Sequence, residues 1–240
     1  MKIRIKFSKF GNMRFIGHLD TMRYFQKVMR RADIDIAYST GFSPHQIMSF
    51  AAPLGVGLIS EGEYLDIEVN STDSTEESLR RLNLAMVDGY QVNDYRRLPD
   101  DAKTAMSIVS AASYTLTYRE GYEANLSFAR FRQAIADFYE NRETIPVIKK
   151  TKKSEKEIDL KKLIYDFSVS ENTDGKIMFS MLICTGSTDN IKPELVMEHF
   201  YSFLGLELQQ FTFQVTRHEV YTGSVETGFT ALIDMGEIIP

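Results

Sequence analysis

The N-terminal stretch KIRIKF, residues 2–7, alternates strictly between basic and apolar side chains. Ile3, Ile5 and Phe7 fall on one face and the basic residues on the other, which is the period-two pattern of a half-buried β-strand. From Leu19 onward the apolar residues recur at helical spacing instead. This change of period predicts an amphipathic helix soon after the first strand.

The next segments continue the same alternation of strands and helices. Strands are predicted at residues 47–50, 64–69 and 90–95, and a capping box from Ser74 to Glu77 predicts the start of a second helix. The resulting order is strand, helix, strand, strand, helix, strand. That order is the ferredoxin-like arrangement.

The order recurs after a polar link at residues 99–103. Further strands are predicted at residues 113–118, 145–148, 167–169, 177–184 and 211–215, with helices at residues 128–138 and from Pro193 to Gly205. We therefore predict an α+β protein built from two tandem ferredoxin-like halves with antiparallel sheets, residues 1–99 and 104–240. Because the residues themselves do not repeat, a single mixed α+β domain is the alternative.

Composition limits the classes of function. The 240 residues carry a formal net charge of −5, so nucleic-acid binding would have to come from a local basic patch. Cys184 is the only cysteine, which excludes an internal disulfide framework and favours a cytoplasmic protein. No apolar stretch approaches the ~20 residues of a membrane-spanning helix, so we expect no membrane association.

One span, residues 14–63, gathers an unusual set of residues. It holds two of the four histidines, a Gly-Phe-Ser-Pro-His turn at residues 41–45, and a glycine-rich approach to Ser60 and Glu63. The span resembles the radical SAM-linked protein family, a bacterial family of unassigned activity found beside, or fused to, cobalamin-binding radical SAM proteins. The resemblance implies a radical SAM protein as partner and specifies no reaction.

The residues that carry the resemblance cover about the first quarter of the chain. They are His18-Leu19-Asp20, Arg30-Arg31-Ala32, Tyr38-Ser39, Gly41-Phe42, Pro44-His45, Ser49-Phe50-Ala51, Pro53-Leu54, Gly57, Ser60 and Glu63-Tyr64. The chain departs from the usual family pattern at Gly17, where serine is usual, and at Gln46, where proline is usual.

Radical chemistry by this chain itself is excluded. A radical SAM enzyme holds its iron–sulfur cluster through several cysteine thiolates, which Cys184 alone does not supply. The chain also lacks a Walker loop, a G-x-G-x-x-G motif and an Asp-x-His-x-x-Gly run. We therefore predict no cofactor, and the radical chemistry implied by the resemblance belongs to another polypeptide.

Five residues are candidates for a catalytic site. His18 and Asp20 form a plausible acid–base pair, although side chains two positions apart on a helix do not face each other. Asp20 can instead favour the helix dipole from the first turn. His45 lies in the predicted turn, and Ser60 and Glu63 complete the set. A metal site would need three or four converging ligands, which the spacing does not require, so none is predicted.

A basic stripe marks the outer side of the first helix. Arg23, Lys27, Arg30 and Arg31 fall together opposite its apolar face, where they can neutralise RNA phosphates or simply be solvated. A lysine-rich run from Lys149 to Lys156, interleaved with glutamate, predicts a solvated hairpin tip.

Two functions follow from these patterns. The first is a non-catalytic accessory or substrate-binding module for a separate radical SAM enzyme, with RNA or a ribosome-related component as the candidate substrate. The alternative is a stand-alone enzyme with its site around His45, Ser60 and Glu63. Neither the substrate nor the oligomeric state follows from the sequence.

Overall fold

The predicted strands and helices occur in the predicted order, and the structure adds a short helix at Ala105–Ile108 and strands at Glu155–Asp159 and Gly228–Ala231. The structure, a computed structural model, describes residues 1–150, 155–186 and 189–240. The strands within these ranges are β1 (Lys2–Lys9), β2 (Met48–Phe50), β3 (Ile59–Glu68), β4 (Tyr90–Arg97), β5 (Ala111–Tyr118), β6 (Pro146–Lys150), β7 (Glu155–Asp159), β8 (Ile164–Glu171), β9 (Ile177–Cys184), β10 (Phe213–Ser224) and β11 (Gly228–Ala231). The helices are α1 (His18–Arg31), α2 (Thr75–Leu84), α3 (Ala105–Ile108), α4 (Phe128–Ile135, continued by a π-helix at Ala136–Glu140) and α5 (Pro193–Phe203).

The chain divides into two compact units. The first unit comprises Met1–Ser110 and Arg217–Pro240, and the second comprises Ala111–Thr216. The sequence places the division at residues 99–103 and assigns the whole C-terminal part to the second half. The return of Arg217–Pro240 to the first unit reflects the length of β10, which continues nine residues beyond the predicted end at Val215.

The first unit has the ferredoxin-like strand order. Its antiparallel sheet runs β4-β1-β3-β2, and Ile5 lies opposite Leu65 on one side and Tyr95 on the other. The apolar face of β1 packs under α1, where Phe25 and Val28 are fully buried. At α2, Ser74 Oγ accepts the Glu77 amide at 3.2 Å, as the capping box predicts.

The opposite face of this sheet is covered at Arg4, which corrects the prediction that β1 is buried on one face only. Arg4 is 1% exposed and donates to both carboxylate oxygens of Asp66, at 2.8 and 2.9 Å. Asp66 also accepts the Ala105 amide at 2.6 Å, and Arg4 donates to the Leu232 carbonyl. The segments around α3 and residue 232 therefore cover a face that the alternation alone predicts to be open.

The second unit has the same element order. Its sheet contains β5-β9-β8, with Ser113 opposite Leu182 and Phe167 opposite Met181. The start of β10 lies beside the end of β5, because the Arg119 amide donates to the Thr212 carbonyl at 2.9 Å. The α+β class with tandem ferredoxin-like halves is therefore confirmed.

Aromatic rings fill the core of the second unit. Phe131 of α4 and Phe200 of α5 lie 5.2 and 6.0 Å, centroid to centroid, from Phe179 of β9. Both helices thus pack on one side of this sheet. The hairpin of β6 and β7 is inserted between α4 and β8, and Lys152 and Lys153 of the predicted tip lie outside the described residues. No helix in the described ranges has both the length and the apolar content to span a membrane.

Candidate functional site

Glu63 sits in a buried charged cluster of the first unit. Its strand register opposes it to Phe7, so its side chain lies on the helix side of the sheet. Arg217 of β10 donates to Glu63 from Nε at 2.9 Å and from Nη2 at 2.6 Å. The side chain of Arg217 is 3% exposed and that of Glu63 is 7% exposed. Arg217 Nη2 also donates to the Ala52 carbonyl at 2.6 Å. This pairing holds Glu63 as a structural ion-pair partner.

Lys9 adds a second buried cation beside this pair. It is 3% exposed, and its Nζ donates to the Ile16 carbonyl at 2.6 Å. Burial lowers the pKa of Lys9, and the nearby carboxylate of Glu63 opposes that shift. The connection to Ile16 ties the end of β1 to the turn that precedes α1.

Ser60 has a structural environment as well. It is fully buried, and its Oγ accepts the Gly62 amide at 3.2 Å. A Cβ at Gly62 would lie 2.5 Å from the His218 carbonyl oxygen, so the glycine is required by the close approach of β3 and β10. Neither Ser60 nor Glu63 is joined to His45 by a hydrogen bond among the described residues.

His18 and Asp20 open α1 and point to different neighbours. The half-buried ring of His18 packs edge-on against Phe50, with centroids 5.2 Å apart. Asp20 lies in the first turn, exposed, and pairs with Arg23 at 3.2 Å. No hydrogen bond or ion pair joins these two residues within the described ranges, so the structure does not assemble them as an acid–base pair.

His45 is exposed in an ordered turn. Its Nδ1 lies 2.9 Å from Ser39 Oγ, and its backbone amide donates to the same oxygen at 3.1 Å. The adjacent Gln46 donates to the backbone carbonyl of Gln26 at 3.2 Å. Gln26 follows His18 by eight residues in α1, so the two lie ~12 Å apart along the helix axis. This anchoring ties the turn to the middle of the helix.

The five predicted catalytic candidates are therefore distributed over separate environments. In the parts of the chain that the structure describes, no group of three or more His, Cys, Asp or Glu side chains is placed to hold a metal ion.

The four residues of the basic stripe are all exposed on α1. Arg23 pairs with Asp20, and Arg31 donates to the Ala85 carbonyl at 3.1 Å while its guanidinium lies 5.5 Å from the ring centroid of Tyr24. Lys27 and Arg30 have no ion-pair partner among the described residues. Lys27 and Arg30 are thus available to a ligand, and the exposed pair of Arg23 with Asp20 is weak enough for a phosphate to replace the carboxylate.

Two exposed aromatic side chains lie on the loop anchored beside this stripe. Tyr38 is 50% exposed, and Phe42 at the loop tip is fully exposed. An isolated bridge between Tyr38 and Gln46 closes the base of this loop. Exposed cations next to exposed aromatic rings can bind single-stranded nucleic acid through phosphates and bases together.

Sequence reasoning did not select Lys9, Arg217, Tyr38 or Phe42 as functional residues. Arg217 lies 154 positions from Glu63, and no local pattern connects them. For Tyr38 and Phe42, the available signal was their presence among the family-matching residues within a polar turn region.

Comparison with known proteins gives a family and a fold. The model of the family described as "Uncharacterized protein conserved in bacteria (DUF2344)" matches residues 2–193. No curated protein matches the chain. A chain in the structure named "Crystal Structure of a Cbf5-Nop10-Gar1 Complex" matches with a TM-score of 0.50 and 9% sequence identity, over 91% of this chain and 48% of that one.

The present chain thus spans about half the length of that solved chain, and at such low identity the likeness concerns the fold alone. The family match covers most of the sequence and includes the basic stripe, the turn with His45, and Glu63. The protein therefore belongs to the bacterial family DUF2344.

Proposed function

We propose that this protein is a non-catalytic binding module that holds RNA on the outer face of α1 for a separate radical SAM enzyme. The observation that carries the RNA part is the exposed pair Lys27 and Arg30, without ion-pair partners among the described residues. The loop anchored to the same helix exposes the rings of Tyr38 and Phe42, and Tyr38 lines a cavity together with Arg30. The radical SAM part is supported by the sequence resemblance and by the single cysteine, Cys184.

The spacing of the stripe suits a phosphate backbone. Arg23, Lys27 and Arg30 follow one another at intervals of four and three residues, so they share one side of the helix. The stripe rises ~10 Å along the axis from the first to the last of them. A local patch of this kind is compatible with the net charge of −5, because the phosphates are neutralised by the cations that contact them and not by the charge of the whole chain.

The sheet of the first unit is a poor alternative surface for RNA. Ferredoxin-like RNA-binding domains stack bases on the open face of the sheet. Here Arg4 and Tyr64 on that face are 1% and 2% exposed. Tyr64 also donates to Glu219 at 2.5 Å, so its hydroxyl is already bonded. The helix face is therefore the better candidate in this unit.

The stand-alone enzyme is the less favoured function. A nucleophile or general base needs its partner within hydrogen-bond reach. Glu63 is instead bonded to Arg217, Ser60 to Gly62, and His45 to Ser39. These contacts give the three residues separate structural partners.

Replacing Arg23 and Lys27 together by glutamine should weaken RNA binding on the order of tenfold at about 0.1 M salt. For each phosphate contact that is lost, fewer counterions are released on binding, so the negative slope of log K against log salt becomes shallower by ~0.7 for a single strand. Both side chains are exposed, so the fold should be unaffected. Fluorescence anisotropy with a labelled single-stranded RNA measures the change.

The matched control is Arg130→Gln with Arg132→Gln, two exposed arginines on α4. This variant has the same net charge as the stripe variant and should bind RNA like the wild type. Equal weakening by both variants would argue against a specific surface on α1 and for a general charge effect.

The purified chain should release no 5′-deoxyadenosine from S-adenosylmethionine, because Cys184 alone provides too few thiolates for a cluster. A radical SAM protein encoded beside it should supply that activity, and turnover on an RNA substrate should fall when the Arg23→Gln, Lys27→Gln variant replaces the wild type. Cleavage by the isolated chain would overturn the accessory role.

A further inference from the structure

The basic stripe ends at a cavity of the first unit. This cavity has a volume of about 660 Å³, within the range of small-molecule sites. Arg30, near the C-terminal end of the stripe, lines this cavity together with Tyr38. A single strand whose phosphates lie along the stripe would therefore bring its next nucleotide to the cavity.

Some of the polar groups around the cavity are used to build its wall. Arg81 donates to the Ala32 carbonyl at 2.9 Å and is ion-paired with Asp73. The carboxylate of Asp35 accepts from Asn70 at 2.9 Å and from Ser71 at 2.7 Å, and these bonds lower the pKa of Asp35. These groups hold the loops in place and have little capacity left for a ligand.

Three other lining groups remain available. The side chain of Asp33 is fully exposed, and its only ion-pair contact among the described residues is a long one, 3.5 Å from Arg81. The ring of Tyr38 is half-exposed and the guanidinium of Arg30 has no ion-pair partner in the same ranges.

The available groups differ in the ligand atoms that they can bind. An aromatic ring stacks on a base, and an arginine binds a phosphate. A carboxylate only accepts hydrogen bonds, so it selects a base edge that carries donors. Guanine presents an N–H and an adjacent amino group on its Watson–Crick edge, whereas uracil presents one N–H between two carbonyl oxygens.

We propose that this cavity binds one unstacked guanine nucleotide of a single-stranded RNA, with its base on Tyr38, its Watson–Crick edge at Asp33 and its phosphate at Arg30. The proposal rests on the RNA binding proposed above and adds a base preference to it. The stripe supplies affinity without regard to sequence, and the cavity supplies the selection.

The test compares labelled oligouridine with the same oligomer carrying one central guanine, by fluorescence anisotropy with the full chain. The wild type should bind the guanine oligomer about tenfold more tightly, a factor in the range of one added hydrogen bond to a charged group such as the carboxylate of Asp33. Tyr38→Ala should abolish this preference by weakening the guanine oligomer more than oligouridine, while the salt dependence, which the phosphate contacts of the stripe set, stays unchanged. Asp33→Asn should also reduce the preference, because it removes the carboxylate that accepts from the guanine edge. Asparagine tolerates the positive φ of 54° at this position, so the backbone should not change.

Tyr122→Ala, at a tyrosine 39% exposed in the second unit, is the matched control and should keep the preference. Equal binding of the two oligomers by the wild type, or a preference that survives Tyr38→Ala, would overturn the guanine site while the stripe stands. Binding of neither oligomer at low salt would overturn the RNA-binding function and the guanine site together.

Discussion

Replacing Arg217 by leucine should lower the free energy of unfolding by about 3–5 kcal/mol, because it leaves the buried carboxylate of Glu63 without its bidentate partner. Lys9 lies close enough to offset part of this loss but is itself partly committed to the Ile16 carbonyl. Urea denaturation followed by circular dichroism measures the change.

Two controls separate the effect of burial from the loss of any arginine. Arg23→Leu breaks an ion pair whose side chains are 68% and 66% exposed, so it should change the free energy of unfolding by less than about 1 kcal/mol. Replacing Glu63 and Arg217 together by leucine should recover part of the loss, since no uncompensated carboxylate remains. A single Arg217→Leu variant as stable as the wild type would contradict the buried pairing.

Phe25→Ala should destabilise the first unit by about 3–5 kcal/mol, the usual range for removing a buried phenylalanine ring. The ring is fully buried under α1, with centroids 4.6 Å from Phe7 and 5.8 Å from Phe50. Since Phe25 anchors the helix that carries the basic stripe, its loss should also weaken RNA binding. Thermal unfolding and anisotropy together measure both effects.

Leu19→Ala on the same helix is the matched control for Phe25→Ala. Leu19 is 62% exposed, so its replacement should change the free energy of unfolding by no more than ~0.5 kcal/mol. If the two variants unfolded alike, the packing of α1 on the sheet would be wrong.

The fold could be predicted from the sequence because its periods are clear. The alternation in residues 2–7 gives β1, and the spacing of Phe25 and Val28 gives the buried face of α1. The pattern of apolar residues does not predict the end of a strand correctly where the strand continues through charged residues. The predicted last strand ended at Val215, whereas β10 continues through Arg217 and Glu219, whose charges are paired with distant residues.

The same long-range pairing explains why the site was harder to predict. Glu63 is a predicted catalytic candidate because it follows a glycine-rich approach within the family-matching span of residues 14–63. Its partner Arg217 lies 154 residues away. The solvated face expected for β1 failed for a similar reason, since Arg4 is covered by the segments that contain Lys103 and Leu232. The basic stripe depends only on helical period, and its exposure could be predicted from the sequence.

We expect RNA phosphates to bind the exposed stripe of α1. The most direct measurement is the affinity of the wild-type chain for a labelled single-stranded RNA over a series of salt concentrations. Three phosphate contacts, at Arg23, Lys27 and Arg30, predict a slope of log K against log salt of about −2. The Arg23→Gln, Lys27→Gln variant keeps one contact, so its slope should be about −0.7. Binding with no salt dependence, or no binding at the lowest salt, would contradict the claim.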